Sequence, residues 1–368
     1  MLDGAARDLA RASQAPDVVV VGAGPSGCAA ALALAERGVA VLLVEQGPEG
    51  KDKPCGDAWT PSAVSELSTY RIGAREVGER WRPFARIDGY YSGRKVWGFV
   101  TESVEGAVAP RAIVDQLLRD RVTAAGSQIR YGARVMNLTT RPGGLDLVLR
   151  QEGVTSTLRP SAVVLASGSG CRLSRAAGLD GEPEFGASVS AYVPVEAPVP
   201  APAFLFGEPA PGYAWVFPAG ERLSNVGVCG LTKPAASTLR EQMREQLARL
   251  GSPPDVSLRG GLGAMWTGAG ARWRHDAGVV SCGDAAGLVD PTSGEGLTAA
   301  LVSGKRSGEA IARFLAGASS ALAEYSEWVS DWAASRYRSS LEGSRLAVWV
   351  GHAPAERRLL ALLAGLKG

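Results

Sequence analysis

The sequence predicts an α/β protein: a parallel sheet with helices, interleaved with an antiparallel-sheet domain and followed by C-terminal helices. Three observations predict it. A β-branched run over 17–21 (DVVVV), apolar from Val18 onward, passes through a glycine-rich turn into a helix and on to a second buried strand over 39–45. The same buried-strand character returns at 162–166 (AVVLA) and at 279–282 (VVSC). Between those two, from 185 to 231, the pattern changes to short alternating strands divided by proline-rich turns, including Pro194 to Pro202, as in a sheet with one face on a core.

The remaining elements follow in order. Pro25–Arg37 has helical composition, and 46–60 (QGPEGKDKPCGDAWT) is rich in Gly, Pro and charge, which predicts a loop. Phe84–Tyr91 and Lys95–Val100 form a hairpin closed around Ser92, Gly93 and Arg94. Arg111–Ala125 places Ile113, Leu117, Leu118 and Val122 at helical spacing, and Gln128–Leu138 alternates as a strand. Leu145–Leu149 and Val154–Leu158 make a further hairpin, Thr238–Leu250 a helix with a polar face, and Gly296–Leu315 a helix. The last fifty residues are helical and aromatic (Tyr325, Trp328, Trp332, Tyr337, Trp349). Trp328 and Trp332 share one face, which we read as packing on the core in preference to a cavity cap or a membrane contact. The predicted division assigns 1–83, 101–184 and 276–316 to a dinucleotide-binding domain, 84–100 and 185–275 to a substrate domain, and 317–368 to C-terminal helices.

Composition narrows the function classes. The chain has 368 residues, with Lys+Arg 39 against Asp+Glu 37 and a net charge of +2, so there is no basic field for nucleic acid. Hydrophobic residues at 46% and charged residues at 21% exclude global disorder. Five cysteines form no CxxC pair, which argues against a disulfide framework or zinc site and for a reducing cytoplasm. With two histidines, His275 and His352, neither a metal site nor a Ser-His-Asp triad is expected. Residues 1–15 lack an apolar core for a signal peptide. The longest uncharged run, Val18 to Ala35, is broken by Gly22, Gly24, Pro25 and Gly27, so it reads as strand plus helix and not as a membrane span.

Two motifs carry the cofactor. Gly22-Ala23-Gly24-Pro25-Ser26-Gly27 is GxGxxG between a strand and a helix, and Glu45 ends the next strand. The first glycine permits the turn, the second lets backbone N–H groups approach a pyrophosphate, and the third allows close helix packing; the acid would accept ribose hydroxyls. This fingerprint does not separate FAD from NAD. Cys282-Gly283-Asp284-Ala285-Ala286-Gly287, followed by Asp290-Pro291 and Gly294-Glu295-Gly296, does. It resembles the second FAD motif of the flavoprotein monooxygenase/reductase superfamily, in which the Asp meets the ribityl chain and the helix N-terminus faces the pyrimidine end of the flavin. FAD is expected to be non-covalent, since no His or Cys stands in an obvious attachment pattern.

Lys53-Pro54-Cys55-Gly56-Asp57 and Gly212-Tyr213-Ala214-Trp215-Val216-Phe217-Pro218 resemble the PxCG-type loop and YxWxFP strand of geranylgeranyl reductases. The likeness runs from about 16 to 316 with the motifs in the family's order. It implies catalytic roles for Cys55, Tyr213 and Trp215, with Tyr213, Trp215 and Phe217 lining an apolar substrate cavity. Cys55 would face the flavin, in a polar loop exposed enough to react. The resemblance adds Gln46, Cys55, Gly56, Asp57, Arg111, Val135 and Leu297 to the cofactor contacts already named; the bland alternative for Arg111 is a helix-surface charge. The chain also departs from the superfamily: where an ADGxxSxxR-like segment is expected it has Ser167 for the acid and Ser174 for the arginine. This weakens the case for a dedicated nicotinamide site, leaving NAD(P)H or a separate reductase as the electron donor.

The expected activity is FAD-dependent reduction of a C=C bond in a hydrophobic isoprenoid or natural-product substrate, by hydride transfer from reduced flavin. The proton would come from Cys55, Asp57 or water. The rival is a flavin monooxygenase, oxidase or halogenase tailoring a secondary metabolite; no lysine lies between Pro54 and Arg94, which counts against halogenation. A non-catalytic flavin-binding protein is a third and weaker reading. Cytoplasmic location with at most peripheral membrane contact, a small hydrophobic substrate, an electron-donor partner and no nucleic acid complete the expectation.

Overall fold

A computed structural model describes residues 16–351 apart from 92, 101–104, 142–143, 170–172, 174–183, 207–211, 231–235, 254 and 268–277. Cys171, Ser174, His275 and His352 lie outside the described residues.

The chain begins with β1 (Val18–Val21), α1 (Pro25–Ala35) and β2 (Val41–Val44). It continues through β3 (Ala58–Trp59), α2 (Pro61–Thr69), α3 (Ala74–Val77), β4 (Arg82–Phe84), β5 (Arg86–Tyr91), β6 (Arg94–Val100) and β7 (Gly106–Val108). Next come α4 (Arg111–Ala124), β8 (Gln128–Arg130), β9 (Ala133–Arg141), β10 (Gly144–Gln151), β11 (Val154–Leu158) and β12 (Ala162–Leu165). Then follow β13 (Glu184–Pro194), β14 (Ala203–Phe206), β15 (Gly212–Gly220), β16 (Leu223–Gly230) and α5 (Ala236–Arg249). The last elements are β17 (Arg259–Met265), β18 (Val279–Ser281), α6 (Leu297–Leu315) and α7 (Ala321–Gly351).

A five-stranded parallel sheet runs in the order β18-β12-β1-β2-β8. Its three inner strands, β12, β1 and β2, are apolar throughout and fully buried because both faces are covered, whereas the edge strand β8 is polar at Gln128 and Arg130. On β1, Val18 and Val20 join the core under α1, α4 and α6, while Val19 and Val21 meet Leu138, Leu145, Leu147 and Leu149 of the β11-β10-β9 meander. Alternate residues of one strand thus feed two cores. Helix α1 can lie directly on α6 because Gly304 and Gly308 face its backbone; a Cβ at either would overlap Ser26 O or Ala30 O.

The second large sheet has seven strands, β17-β13-β16-β15-β14-β5-β6. One face packs Val189, Ala191, Val193, Ala214, Val226 and Val228 against Leu239, Met243 and Leu247 of α5. The other face turns toward the parallel sheet. A small sheet, β3-β7-β4, lies between them. Helix α7 buries Tyr325, Val329, Ala333 and Tyr337, with half-buried Trp328 and Trp332 packed against the same core.

The structure corrects several boundaries. The expected strand 84–91 is two: β4 ends at Phe84 in the small sheet, and β5 starts at Arg86 in the large one. The alternating run 128–138 is also two, because the turn at Gly132 (φ 65) sends β8 to the parallel sheet and β9 to the meander. The segment 46–60 is not all loop, since Ala58 and Trp59 pair with β7. The large sheet is not purely antiparallel: β14 and β5 run parallel.

Candidate active site

A cavity of about 1190 Å³ opens where the C-terminal ends of the parallel strands meet the inward face of the seven-stranded sheet. Gly22, Gly24, Glu45, Gln46, Ala166 and Asp284 contribute one part of its lining, and Phe204, Tyr213, Trp215 and Phe217 another.

The glycine turn shows three different uses of a missing side chain. Gly22 has φ +108, a region that L side chains rarely adopt, and its Cβ would overlap Ala166 O. A Cβ on Gly27 would overlap Gly22 O, so this glycine lets α1 close on the turn. At Gly24 the space a Cβ would occupy is open, with nothing within 4 Å, and Pro25 starts α1 at its first turn, where its lost N–H is no cost. Glu45 folds back on the same turn, accepting from Ala23 N at 3.1 Å and Gly47 N at 2.7 Å, with Lys51 Nζ at 3.8 Å.

The second acid is Asp284. Its Oδ2 accepts from Lys53 Nζ at 3.0 Å and from Ser169 Oγ at 3.0 Å. Burial pushes this carboxyl up, but Lys53 and Ser169 outweigh it and hold it below the usual carboxylate range. Gly294, Gly296 and Leu297 line the cavity at the N-terminus of α6, with Glu295 accepting from Thr298 N at 2.7 Å. Ser167 Oγ lines the cavity and is buried without a partner.

The opposite part of the lining is aromatic. On β15 the side chains of Tyr213, Trp215 and Phe217 are 6%, 5% and 5% exposed and share one face. Phe204 of β14 meets Tyr213 and Phe217 edge-on, with ring centroids 5.3 and 5.2 Å away. Tyr213 Oη donates to Ser293 O, tying this strand to the loop before α6. Cys55 and Gly56 lie against these rings; a Cβ on Gly56 would be 2.9 Å from Phe217 and 3.2 Å from Trp215 Nε1.

Several site expectations are corrected. Cys55 is half-buried and lines the cavity, and burial pushes its thiol pKa up with Arg111 beside it pulling down. Arg111 is not a helix-surface charge. It is 3% exposed, lines the cavity and forms a bidentate pair with Asp115, both contacts at 2.8 Å. Asp57 sits behind the wall, 1% exposed, accepting from Asn225 Nδ2 at 2.9 Å, Arg111 N at 3.2 Å and Tyr192 Oη. Val135 packs into the core between the parallel sheet and the meander and does not line the cavity. Gly27 and Gly283 likewise stand behind the lining, in helix and turn packing. Sequence reasoning missed Lys53 as the partner of Asp284, Phe204 and Asn225. Each depends on strand register or chain reversal, though an aromatic pair in 203–206 (AFLF) was a usable signal for Phe204.

The residues fit a dinucleotide. An open backbone cradle at Gly24, carboxylates at Glu45 and Asp284, and an orphaned hydroxyl at Ser167 line one continuous space.

The comparisons agree with this geometry. The family model described as FAD binding domain matches residues 15–338. Menaquinone reductase of Mycolicibacterium smegmatis is 31% identical over 323 residues, covering 80% of this chain and 75% of that protein. Digeranylgeranylglycerophospholipid reductase 1 of Methanopyrus kandleri is 34% identical over 309 residues, covering 80% and 79%. Among solved structures, a geranylgeranyl bacteriochlorophyll reductase-like protein from Thermoplasma acidophilum has a TM-score of 0.79 at 21% identity, covering 90% of this chain and 87% of that one. A p-nitrophenol 4-monooxygenase from Pseudomonas putida has a TM-score of 0.77 at 18% identity, covering 94% and 92%. A flavin-dependent halogenase has a TM-score of 0.73 at 21% identity, covering 89% and 63%. At those identities the structural likeness establishes the fold and leaves the reaction open.

Proposed function

The chain belongs to the FAD binding domain family, and from that premise we propose that this FAD-dependent oxidoreductase saturates a C=C bond in the polyprenyl part of a hydrophobic substrate. The observation that carries the reading is the continuity of one cavity, with dinucleotide-type carboxylates on one side and four aromatic rings on the other. The names of the relatives, reductases of menaquinone and of digeranylgeranylglycerophospholipid, support the same substrate class.

We assign the parallel-sheet segments to the cofactor and 84–100 with 185–275 to the substrate. Gly22, Gly24 and Ser26 would receive the pyrophosphate, Glu45 the adenosine ribose, Asp284 and Ser169 the ribityl hydroxyls, and the N-terminus of α6 the pyrimidine edge. When bound, FAD supplies the hydride that alkene reduction needs. The protein's own residues do the rest. Tyr213, Trp215, Phe217 and Phe204 bind the chain by apolar contact and exclude water. Their ring faces also suit the positive charge that develops on an isolated alkene as hydride arrives. Cys55, kept protonated by burial and adjacent to Arg111, holds a proton at Sγ on this wall, whereas Asp57 does not reach the cavity. The electron donor is NAD(P)H or a separate reductase, and the altered segment at Ser167 favours the latter. No helix among the described residues is long and apolar enough to cross a membrane; the protein would meet its lipid substrate from the cytoplasm through peripheral contact.

The test is anaerobic incubation of the dithionite-reduced holoenzyme with geranylgeranyl diphosphate and with menaquinone-4. Flavin reoxidation with a mass gain of two hydrogens per alkene is expected. Flavin that stays reduced with both probes unchanged, and reoxidises only when oxygen is admitted afterwards, would overturn the assignment in favour of oxygen chemistry.

A further inference from the structure

We infer that Asn225 is a positioning residue that locks the Cys55 loop to the aromatic wall and sets the angle of the Trp215 indole. The inference rests on the reading of that wall as the substrate side of the cavity.

Asn225 is fully buried near the start of β16, opposite Phe217 on β15 and Tyr192 on β13. Directly paired residues of neighbouring strands share a face, so its amide points to the same side as the aromatic rings. Next along that face is Gly227, paired with Trp215. A Cβ at Gly227 would overlap the indole, so the ring lies across this glycine and extends toward Asn225. There Trp215 Nε1 donates to Asn225 Oδ1 at 3.0 Å.

The other end of the amide is spent on the loop. Asn225 Nδ2 donates to Cys55 O at 2.8 Å and to Asp57 Oδ2 at 2.9 Å. The orientation is forced: an indole N–H can only donate and a backbone carbonyl can only accept. One side chain therefore satisfies the wall with its oxygen and the loop with its nitrogen. No other residue type of this size offers both polarities. Aspartate would place oxygens against Cys55 O and Asp57 Oδ2, and leucine would leave an indole donor and two loop acceptors short of a partner.

The loop is held in a conformation that needs such a lock. Asp57 has φ 61, in the left-handed region that a non-glycine residue enters only when its surroundings compel it. Its carbonyl accepts from Ala109 N at 2.9 Å and its carboxylate from Arg111 N at 3.2 Å and Tyr192 Oη, besides Asn225. The amide thus closes a path from Tyr192 through Asp57 and Cys55 to Trp215. It fixes the relation between the thiol and the indole without touching the cavity itself, since Asn225 is not among its lining residues.

The test uses the FAD-loaded full chain carrying Asn225→Leu, Trp215→Phe, or both, with geranylgeranyl diphosphate as probe. We measure flavin reduction by dithionite, flavin reoxidation by the probe under anaerobic conditions, and amide exchange of the peptide spanning 51–60. Asn225→Leu should slow reoxidation about 10²-fold, the size of effect a small misplacement gives. Dithionite reduction and flavin content should stay unchanged, KM should move by less than about threefold, and exchange at 51–60 should rise. With phenylalanine at 215 the indole donor is gone, so Asn225→Leu should then cost at most about tenfold more. Full additivity with Trp215→Phe, or wild-type reoxidation and exchange, would overturn the inference. Loss of flavin in proportion to rate would reduce Asn225 to a folding residue and overturn it too. If the wild type is not reoxidised by the probe, the substrate reading has failed; exchange at 51–60 then decides the lock by itself, and wild-type exchange in Asn225→Leu rejects it. Should Asn225→Leu not fold, Asn225→Ser takes its place under the same outcomes.

Discussion

The two large sheets meet the same cavity in different ways. The five-stranded parallel sheet presents the ends of its strands, and what lies there is mostly backbone: the Gly22–Gly27 turn, the N-terminus of α1, and carboxylates at Glu45 and Asp284. The seven-stranded sheet presents a face, and what lies there is side chain: Phe204, Tyr213, Trp215 and Phe217 beside Gly227 and Asn225. A site built from strand ends depends on the absence of side chains at a few positions. A site built on a face depends on identity and register across neighbouring strands. Changes in the first region should therefore act on whether FAD binds, and changes in the second on what the bound protein does.

The largest effect should come from filling the backbone cradle. Gly24→Val places a branched side chain in the open space beside Gly24, where the pyrophosphate is proposed to sit. FAD affinity should fall at least 10²-fold, about 3 kcal/mol, measured by flavin content after purification and by titration of the stripped protein. Full flavin occupancy would remove this loop from the cofactor site. Next in size, Trp215→Ala should lower turnover about 10²-fold, an aromatic binding surface being lost, while flavin content stays within about twofold of wild type. Equal loss of flavin and turnover would mean that the two sheets are not separable in this way, and that Trp215 serves packing alone.

A smaller effect is expected at the bridge between the regions. Lys53 reaches from the Cys55 loop to Asp284 at 3.0 Å, but its side chain is 44% exposed, so water screens much of the pair. Lys53→Met should weaken FAD by no more than about fivefold at 0.15 M salt, with less change at higher salt. A larger, salt-insensitive loss would show direct contact between this lysine and the cofactor.

The same contrast explains what the sequence made legible. The strand runs at 18–21, 41–44, 162–165 and 279–281 are buried on both faces and apolar but for Ser281, so composition alone located them within a residue or two. The glycine motifs were legible for the same local reason, as a turn needs no distant partner. The aromatic face was legible as identity, since 213, 215 and 217 alternate on one strand. Its partners were not, because which residue of β16 opposes Trp215 is set by a register that no local pattern states. Asp57 was misplaced for that reason: its position in the loop suggests the cofactor, and only the fold reveals that Tyr192 and Asn225 take its carboxylate. Lys53 and Asp284 are 231 residues apart, which puts their pairing beyond any spacing rule.

The finest distinction between the regions lies in their buried acids, whose effects on stability have opposite sign. Asp57, behind the aromatic face, has its pKa raised from 3.8 by burial despite donors from Tyr192, Arg111 and Asn225. The folded state therefore keeps a proton on it where the unfolded chain has lost one. Its contribution is fully present below 3.8 and is lost as pH rises through the raised folded value. Asp284, at the strand ends, is lowered from 3.8, with burial outweighed by Lys53 and Ser169. Its contribution is present above 3.8 and is lost as pH falls through the lowered folded value. Thermal melts of the flavin-free protein between about pH 3 and pH 7, set against Asp57→Asn and Asp284→Asn, separate the two. The gap between wild type and Asp57→Asn should narrow, or turn against wild type, as pH rises. The gap between wild type and Asp284→Asn should favour wild type above 3.8 and narrow as pH falls through the lowest part of the range. Parallel curves for the two substitutions would mean that both carboxylates sit in equivalent surroundings, and the division of the cavity into a charged cofactor side and a buried, proton-retaining substrate side would fail.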